Sequence, residues 1–530
     1  MPIPSFEPPR RQLTPLLVVL ATVVLAACGA DPDVDALDPE GAAPPGGAAG
    51  SGASSAPGGD AGSEAEGGSA GEGASGGSAD PGATCDSSAC ATWHDLYVDL
   101  NAPSDGDGSS PGSPRNVIPD TIGDSCVRLL FNSDGGRQAI PGRDNAIVLS
   151  GAHIRVSSYG SSRAVLSAYE ELTDGWKHYS GTVYYRDYTN GYAAAGPVVG
   201  NVIHFDDTTD SPHGSVLAWT NLEAAGDAIG AFLADPGSLG AGAYAYDWRS
   251  NPQRMYVNIG SDPNVTTLGV ARVGRFINTA GAPRDVEICN LSIIGFCRAA
   301  INITGAAADW SVHHNDLYAI GGMYNVKSGW YHGSGIQLAG NASGVEIRNN
   351  SIVQTYDSPI TPQHFAGESG NTIADVLIRD NHIDRWALAA VELADWGTSD
   401  NHFRNIEIVN NVMESGGRGF SGLGDSPLGH TDGIHFRGNV PGSTVAGIAI
   451  VDNDVRAPHA ALKIAGGTFV DGLVSTGNLY GEAEYGVRNQ RPNDAHVTST
   501  ADSCCQCGTE VADGAAASAY FGFTTLDSCP

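Results

Sequence analysis

The sequence predicts an all-β chain that folds as a right-handed parallel β-helix, because one phrase of alternating apolar and polar residues recurs along it. Seven copies of the phrase occur between Asp285 and Arg488, and six of them carry an asparagine at the sixth place. These asparagines are Asn315, Asn350, Asn381, Asn411, Asn453 and Asn478. A strand that buries one face and has no nearby hairpin partner must find its hydrogen bonds in the next copy of itself, which builds a solenoid.

The intervals between these asparagines, 25 to 42 residues, also predict their role. Consecutive coils of a solenoid lie about 4.8 Å apart, so stacked asparagine amides can bond to one another along its axis. We therefore expect a structural ladder inside a tight turn and no part in chemistry.

The repeated phrases VEIRNNSI, VLIRDNHI and IEIVNNVM are similar to those of the pectate-lyase-like superfamily of right-handed parallel β-helix proteins. The resemblance covers roughly the last four-fifths of the chain. Members of the superfamily are mostly polysaccharide lyases, glycoside hydrolases and sugar epimerases, so the resemblance implies a carbohydrate-active protein. The calcium-binding aspartates of pectate lyases, the NTD and GHG phrases of polygalacturonases and the DPHE phrase of epimerases are not found as such. The reaction is therefore left open.

The first 28 residues resemble a bacterial lipoprotein signal peptide. Arg10 and Arg11 precede an apolar run that ends in LAAC at Cys28. The resemblance implies cleavage before Cys28, lipidation of its side chain and anchoring in the bacterial outer membrane, since Gly29 and no acidic residue follows. An ordinary secretory peptide and a short buried helix are the alternatives.

The remaining chain divides by composition. Residues 29–83 are rich in Gly, Ala, Ser, Asp and Glu and predict a disordered tether. Residues 84–168 predict an N-terminal cap and a first coil, and residues 271–495 the main coils. Between them, residues 169–270 lose the asparagine phrase, and their short aromatic strands predict an inserted, small antiparallel β-sandwich-like region. Residues 496–530 form a cysteine-rich C-terminal segment.

Ten cysteines in an exported protein predict disulfides. We expect Cys85 to pair with Cys90 and Cys289 to pair with Cys297. Cys126 either joins the C-terminal group or leaves one thiol free. The C-terminal group consists of Cys504, Cys505, Cys507 and Cys529. We expect these cysteines to form disulfides, and a zinc cluster at residues 504–507 is the alternative.

The formal net charge of -32 argues against nucleic acid and against electrostatic binding to anionic membranes. We expect a monomer that touches the membrane only through its N-terminal lipid and binds a polysaccharide or oligosaccharide. A polyanionic glycan would need a local basic patch. The cofactor is not determined by the sequence, but Asp105 and Asp107 are candidate Ca²⁺ ligands, with an ordinary Asp-Gly turn as the alternative.

A second strand follows each asparagine phrase and carries the candidate site. Its apolar residues are predicted to point inward, which leaves one polar column outside: Asn302, Gln337, Thr361, Glu392, His435, Lys463 and Arg488. The last four members are ionisable and should lie about 5 Å apart on consecutive coils. The sequence therefore predicts a functional site at this row, with a solvated sheet face as the alternative.

Two reactions fit these residues. In a polysaccharide lyase, Lys463 or His435 would be the base, while Arg437 and Arg488 would neutralise the substrate carboxylate or protonate the leaving oxygen. In a glycoside hydrolase, Glu392 would act with Asp432 or Asp395 as the second carboxylic group.

Substrate contacts are expected from residues beside this row: Gln337, Arg437, Trp396, Trp330 and His332. Two long connections, residues 319–333 and 414–432, would wall a cleft. The other function class is a non-catalytic glycan-binding or adhesin-like surface lipoprotein, which would keep the aromatic and basic groups without needing a carboxylate and a base near one bond.

Overall fold

The computed structural model describes residues 90–188, 200–208, 211–219, 235–247, 252–325, 330–417, 431–438, 440, 442–457, 459–465, 469–483, 485–489, 495–500, 502–505, 509–512 and 524–526. They all belong to one compact unit, Ala79–Pro530. The predicted signal peptide with Cys28 and the whole of the predicted tether, residues 29–83, lie outside them. Within these ranges no helix is long and apolar enough to cross a membrane.

Three parallel sheets of eleven strands each build the solenoid. The first sheet consists of His94–Val98, Val127–Asn132, Ala152–Tyr159, Arg284–Cys289, Ala308–His313, Ser343–Arg348, Thr372–Arg379, His402–Val409, Thr444–Val451, Phe469–Thr476 and Ala495–Thr500. The second consists of Thr121–Ile122, Asn145–Leu149, Arg275–Thr279, Ala299–Ile303, Ser334–Ala339, Ile360–His364, Ala389–Asp395, Asp432–Gly438, Ala460–Ile464, Tyr485–Asn489 and Thr509–Ala512. The third consists of Arg137–Ala139, Ala164–Ser167, Leu291–Ile294, Asp316–Ile320, Ser351–Thr355, His382–Trp386, Val412–Glu414, Asp454–Arg456, Leu479–Gly481, Ser503–Cys505 and Thr524–Leu526.

Each coil contributes one strand to each sheet, and the inward residues of all coils form one continuous core. In the second sheet, the residues that were predicted to point inward are fully buried and belong to this core: Ile301, Ile336, Ile360, Val391, Ile434 and Leu462. The period-two alternation of the sequence is thus the alternation of core and outer face. The predicted fold class, a parallel β-helix, is confirmed.

The asparagine ladder is also confirmed. Asn411 shows its geometry: Asn411 Nδ2 donates to Asn453 Oδ1 at 2.9 Å, and Asn411 Oδ1 accepts from Asn381 Nδ2 at 2.9 Å. The same contacts connect all six asparagines, and the ladder ends on Asp502, whose Oδ1 accepts from Asn478 Nδ2 at 3.0 Å. The residue before each asparagine has a φ between 52° and 70°, a left-handed conformation that short polar side chains and glycine tolerate.

Two smaller sheets lie between Ala164–Ser167 and Arg275–Thr279 in the chain. One contains Lys177–Ser180, Val183–Asp187, Ala218–Trp219, Ala243–Asp247 and Arg254–Asn258, and the other Tyr169–Leu172, Val202–His204, Ser215–Val216 and Leu268–Ala271. Their pairing is antiparallel except for one short pair, Ala218–Trp219 with Ala243–Asp247. They share a core that also takes in Ile294 and Tyr318 of the third sheet. Two short 3-10 turns, Pro236–Ser238 and Pro263–Val265, accompany them.

Two cysteine predictions are wrong. Cys90 pairs with Cys126 across a Cα separation of 5.8 Å, so it does not pair with Cys85. Cys289 is disulfide-bonded, but Cys297 is a free buried thiol, so these two do not pair either. Cys504 and Cys505 are disulfide-bonded, which excludes the zinc alternative for them. Sequence proximity misled these predictions because pairing requires Cβ atoms that face each other, which the coils decide.

Candidate functional site

The site is built on the outer face of the second sheet, where the predicted column is found in register. Glu392 pairs with His435, His435 with Lys463, and Lys463 with Arg488. Of Arg488 only the backbone is described. On the earlier coils Gln337 pairs with Thr361 and continues the column.

This column is not a solvated sheet face. Glu392 is 4% exposed, His435 3% and Lys463 5%. Burying ionisable groups is expensive unless each is paired or changes its protonation state. The contacts of these three side chains therefore decide what the site can do.

Asp432 is the centre of the site and is completely buried. It lies at the corner where its strand begins, paired in register with Ala389, one coil from Glu392. Its Oδ1 accepts from His459 Nδ1 at 2.6 Å. Its Oδ2 lies 3.2 Å from His435 Nδ1 and 3.6 Å from Lys463 Nζ. One carboxylate thus faces three nitrogen groups. His435 and Lys463 lie on adjacent strands, and His459 lies in the turn before the strand of Lys463.

These neighbours keep Asp432 ionised. Burial alone would raise the pKa of its carboxyl group, but the hydrogen bond from His459 and the Lys463 ammonium lower it below the ordinary value. His435 responds in the opposite sense: burial lowers the pKa of its imidazole to about 3 against the attraction of Asp432, so the ring is neutral at neutral pH.

Glu392 is the second buried carboxyl group. Its Oε2 accepts from Ser358 Oγ at 3.2 Å, and its Oε1 lies 3.8 Å from Arg437 Nη1. The Arg437 guanidinium carbon in turn lies 4.6 Å from the centre of the Trp396 ring. The Arg437 side chain is 28% exposed and Trp396 is partly exposed, so this pair forms a solvent-facing rim beside Glu392.

Burial raises the pKa of Glu392 above its ordinary value, although Arg437 and the bond from Ser358 oppose this. Asp357, beside Ser358, has its pKa raised to about 8 by desolvation and by the Glu392 charge, again against Arg437. A negative charge on either of these two carboxyl groups disfavours ionisation of the other. The pair of Glu392 and Asp357 therefore holds a proton, whereas Asp432 is ionised.

Several polar atoms of the site have no hydrogen-bond partner among the described residues. They are Glu392 Oε1, Asp432 Oδ2 and both ring nitrogens of His435. Asp432 Oδ2 and His435 Nδ1 are near each other but are not aligned for a hydrogen bond. A buried polar atom without a partner costs about 1 to 3 kcal/mol. These four atoms, on two adjacent coils, remain available for hydrogen bonds to a ligand.

Asp395 lies elsewhere, contrary to its prediction as a candidate partner of Glu392. It shares the inward face of its strand with Val391 and Leu393. Its Oδ1 accepts from Gly397 N at 2.9 Å and from Asn401 Nδ2 at 3.1 Å. Asp395 therefore stabilises a turn at the far end of the strand.

The other expected substrate contacts occupy earlier coils. Gln337 is partly exposed two coils before Glu392, and His332 lies three coils before Asp432, about 14 Å at the usual coil spacing. Desolvation and the charges of Arg298 and Arg275 lower the pKa of His332 to about 3. Trp330–His332 pairs with Met323–Asn325 as a hairpin, of which the Trp330 side chain is not described. Of the second predicted wall, residues 418–430 lie outside the described ranges.

The candidate calcium residues make turn contacts. Asp107 Oδ1 accepts from the backbone N of Ser109 at 2.9 Å, and Asp105 Oδ1 accepts from Asn116 N at 3.0 Å. These bonds are those of the turn alternative. In the part of the chain that the structure describes, the one close group of three metal-ligating side chains is Glu287, Cys289 and His313, where Cys289 is committed to a disulfide.

Three residues of the site were missed from the sequence: His459, Asp357 and Ser358. All three stand in the turns just before strands of the second sheet, where the repeat has no fixed polar position. A usable signal existed, because His459 immediately precedes the small-residue start of AALKI and therefore lies beside the corner that Asp432 occupies one coil earlier.

Several solved structures resemble this chain in fold at low sequence identity. No protein-family model matches the chain, and no curated protein matches its sequence. Among solved structures, XylC in complex with xylose has a TM-score of 0.50 at 11% identity, over 79% of this chain and 70% of XylC. An exopolygalacturonase from Thermotoga maritima has a TM-score of 0.42 at 10% identity, over 77% and 80% of the two chains. A GH136 lacto-N-biosidase from Eubacterium ramulus has a TM-score of 0.38 at 10% identity, over 82% and 68%.

Proposed function

We propose that this chain is a glycoside hydrolase that cleaves a polysaccharide or oligosaccharide, with Glu392 as the general acid and Asp432 as the ionised carboxylate. One observation carries the proposal: two buried carboxyl groups on adjacent coils have surroundings that shift their pKa values in opposite directions. Two carboxyl groups with opposed environments are what glycoside hydrolysis requires.

Each residue then has a defined task. Glu392 gives its proton to the oxygen of the scissile glycosidic bond, and Asp357 supports this by keeping the proton within the pair. Asp432 either activates a water molecule or attacks the anomeric carbon itself, through the oxygen that lacks a hydrogen bond. Arg437 and Trp396 offer a sugar ring a flat surface and hydrogen-bond donors at the rim. Gln337 and His332, on earlier coils, would contact more distant sugars.

The lyase alternative has weaker support from the same contacts. An ammonium group that pairs with a carboxylate has no lone pair for removing a proton, and Lys463 Nζ faces Asp432 Oδ2 at 3.6 Å. His435 is neutral but, with a pKa of about 3, it would be a weak base. Arg437, which would neutralise a uronate carboxylate, already faces Glu392.

An extracytoplasmic location is part of the proposal. The disulfide between Cys90 and Cys126, together with the bonded states of Cys289, Cys504 and Cys505, supports an oxidising compartment. Lipidation of Cys28 would be tested by mass spectrometry of the N-terminal peptide and by its loss in Cys28→Ser.

The proposal is tested by incubating the full chain with a panel of neutral and acidic polysaccharides and oligosaccharides. We expect new reducing ends without absorbance from a carbon–carbon double bond, and we expect Glu392→Gln to abolish them. Glu407→Gln, a change at an exposed glutamate of the first sheet, is the matched control. Products with an unsaturated bond would make the chain a lyase, and binding without any product would make it a glycan-binding protein. The configuration of the released sugar by NMR would tell whether Asp432 acts on water or on carbon.

Arg437 should set the alkaline limit of activity. The acid must be protonated, so turnover falls as the pH rises through the pKa of the Glu392 and Asp357 pair. The Arg437 charge lowers the pKa of both groups, so we expect Arg437→Gln to raise it and move the alkaline limb of kcat/KM to higher pH. The measurement is a pH profile beside Arg404→Gln, an exposed control. An alkaline limb that stays in place or moves to lower pH would contradict this assignment.

A further inference from the structure

His459 is held firmly against Asp432. It directly precedes Ala460–Ile464, whose first residue pairs in register with Asp432. The backbone N of His459 donates to Thr431 O at 3.1 Å. Backbone pairing therefore holds both chain segments beside the bond between His459 and Asp432. Its ring stands edge-on to Tyr485 at 5.6 Å between centroids, and its side chain is only 8% exposed. The ring therefore has little freedom to turn away.

The contact makes the two oxygens of Asp432 different. Oδ1 accepts from His459 Nδ1 at 2.6 Å, while Oδ2 has no hydrogen-bond partner among the described residues. A short bond between an imidazole N–H and a carboxylate is strong and directional, so it fixes the rotation of the carboxylate plane. Residues that orient metal ligands through such bonds change activity by about tenfold or more when they are replaced, and we expect a similar effect for a carboxylate held in the same way.

We infer that His459 is a positioning residue for Asp432: it occupies Oδ1 and aims Oδ2 toward the corner occupied by His435 and Lys463. His459 itself touches neither the scissile bond nor the reacting water. The inference rests on the proposed function and goes beyond it, because hydrolysis by Glu392 and Asp432 does not by itself require His459. Trp386 adds a second constraint, since its Nε1 donates to Asp432 O at 2.8 Å.

The role of His459 predicts a pH effect with a definite sign. Asp432 must be ionised, so activity is lost as the pH falls through its pKa. The bond from His459 is one of the causes that lower this pKa, so removing it should raise the pKa and move the acidic limb of the pH profile to higher pH. A change that only loosened the fold would lower activity at every pH without moving this limb.

Two substitutions separate these cases. His459→Leu fills the space but removes the donor, and His459→Asn retains an N–H near the position of Nδ1. We expect His459→Leu to lower kcat about tenfold or more with little change in KM and to shift the acidic limb upward. His459→Asn should restore most of both. His382→Leu is the control, because it removes a comparable histidine contact, Nε2 to Glu414 Oε1 at 2.9 Å, on the third sheet.

A second readout needs no substrate. With carboxyl-labelled aspartate, NMR follows the ionisation of Asp432, which is assigned by the signal missing from Asp432→Asn. We expect the pKa of Asp432 to rise in His459→Leu and to return toward the native value in His459→Asn, with thermal unfolding recorded for each. If Asp432→Asn is inactive but neither the NMR pKa nor the acidic limb moves in His459→Leu, the positioning role is wrong and the hydrolase stands. If Asp432→Asn retains its turnover, the proposed function is wrong, and the positioning role that rests on it is wrong as well.

Discussion

Asp432→Asn should lower kcat by about a thousandfold, because the substitution keeps the shape of the side chain and removes the charge on which hydrolysis depends. Substrate binding should change far less, since Arg437 and Trp396 at the rim are untouched. The measurement is kcat and KM on the glycan that the native chain cleaves. Asp124→Asn, at an exposed aspartate, is the control.

This variant also leaves His459, His435 and Lys463 around a neutral amide. Removing one member of a buried charge cluster costs roughly 3 to 5 kcal/mol. Its unfolding temperature must therefore be compared with the native value, and its activity measured well below the lower of the two. A folded variant that retains kcat within a factor of about three would show that Asp432 is not the reacting carboxylate.

The largest effect on stability is expected at the asparagine ladder. Asn411→Ala should destabilise the chain by roughly 3 to 5 kcal/mol, because it leaves buried polar groups on the neighbouring coils without hydrogen-bond partners. Asn381 Nδ2, Asn453 Oδ1 and Ile378 O all lose a bond of 2.9 Å to the Asn411 side chain. Asn411 is fully buried, so bulk solvent does not reach these groups. The measurement is the free energy of unfolding from denaturant titration.

Asn341→Ala is the matched control for this ladder. Asn341 Nδ2 donates to Asn371 Oδ1 at 2.9 Å across adjacent coils in the same manner, but Asn341 is exposed. Water can take over its bonds, so we expect a loss of about 1 kcal/mol or less. Equal losses at Asn341 and Asn411 would mean that burial does not set the strength of the ladder.

The outer column shows how far a repeat can be followed from sequence into space. Aligning the apolar residues of successive strands predicted that Glu392, His435 and Lys463 are neighbours, and the strand pairing is the one expected. This prediction succeeds because a parallel solenoid keeps the same register from coil to coil. The alternation of apolar and polar residues within a strand therefore also indicates which residues of adjacent coils are neighbours. The same alternation places Asp395 on the inward face of its strand, together with Val391. The prediction of Asp395 as a site residue did not take this into account.

For residues in turns the same reasoning gives at most the corner, as for His459, and not the contacts made there. His459, Asp357 and Ser358 precede their strands, and Asp432 stands where its strand begins, so none has a regular position within the period of two. Which of them meet depends on how sharply each corner bends and on what packs beside it. The opposed pKa shifts of Glu392 and Asp432 likewise arise from burial and from neighbours on other coils, which composition does not contain.

The sequence by itself determined the parallel β-helix, the asparagine ladder and the register of the outer column, because each follows from a pattern that repeats on every coil. Only the tertiary structure decided that the column is buried, that Asp432 meets His459 and Lys463 at one corner, and that Cys90 pairs with Cys126. These facts are distances between single residues on different coils. They depend on the shape of individual turns, for which the repeat holds no information.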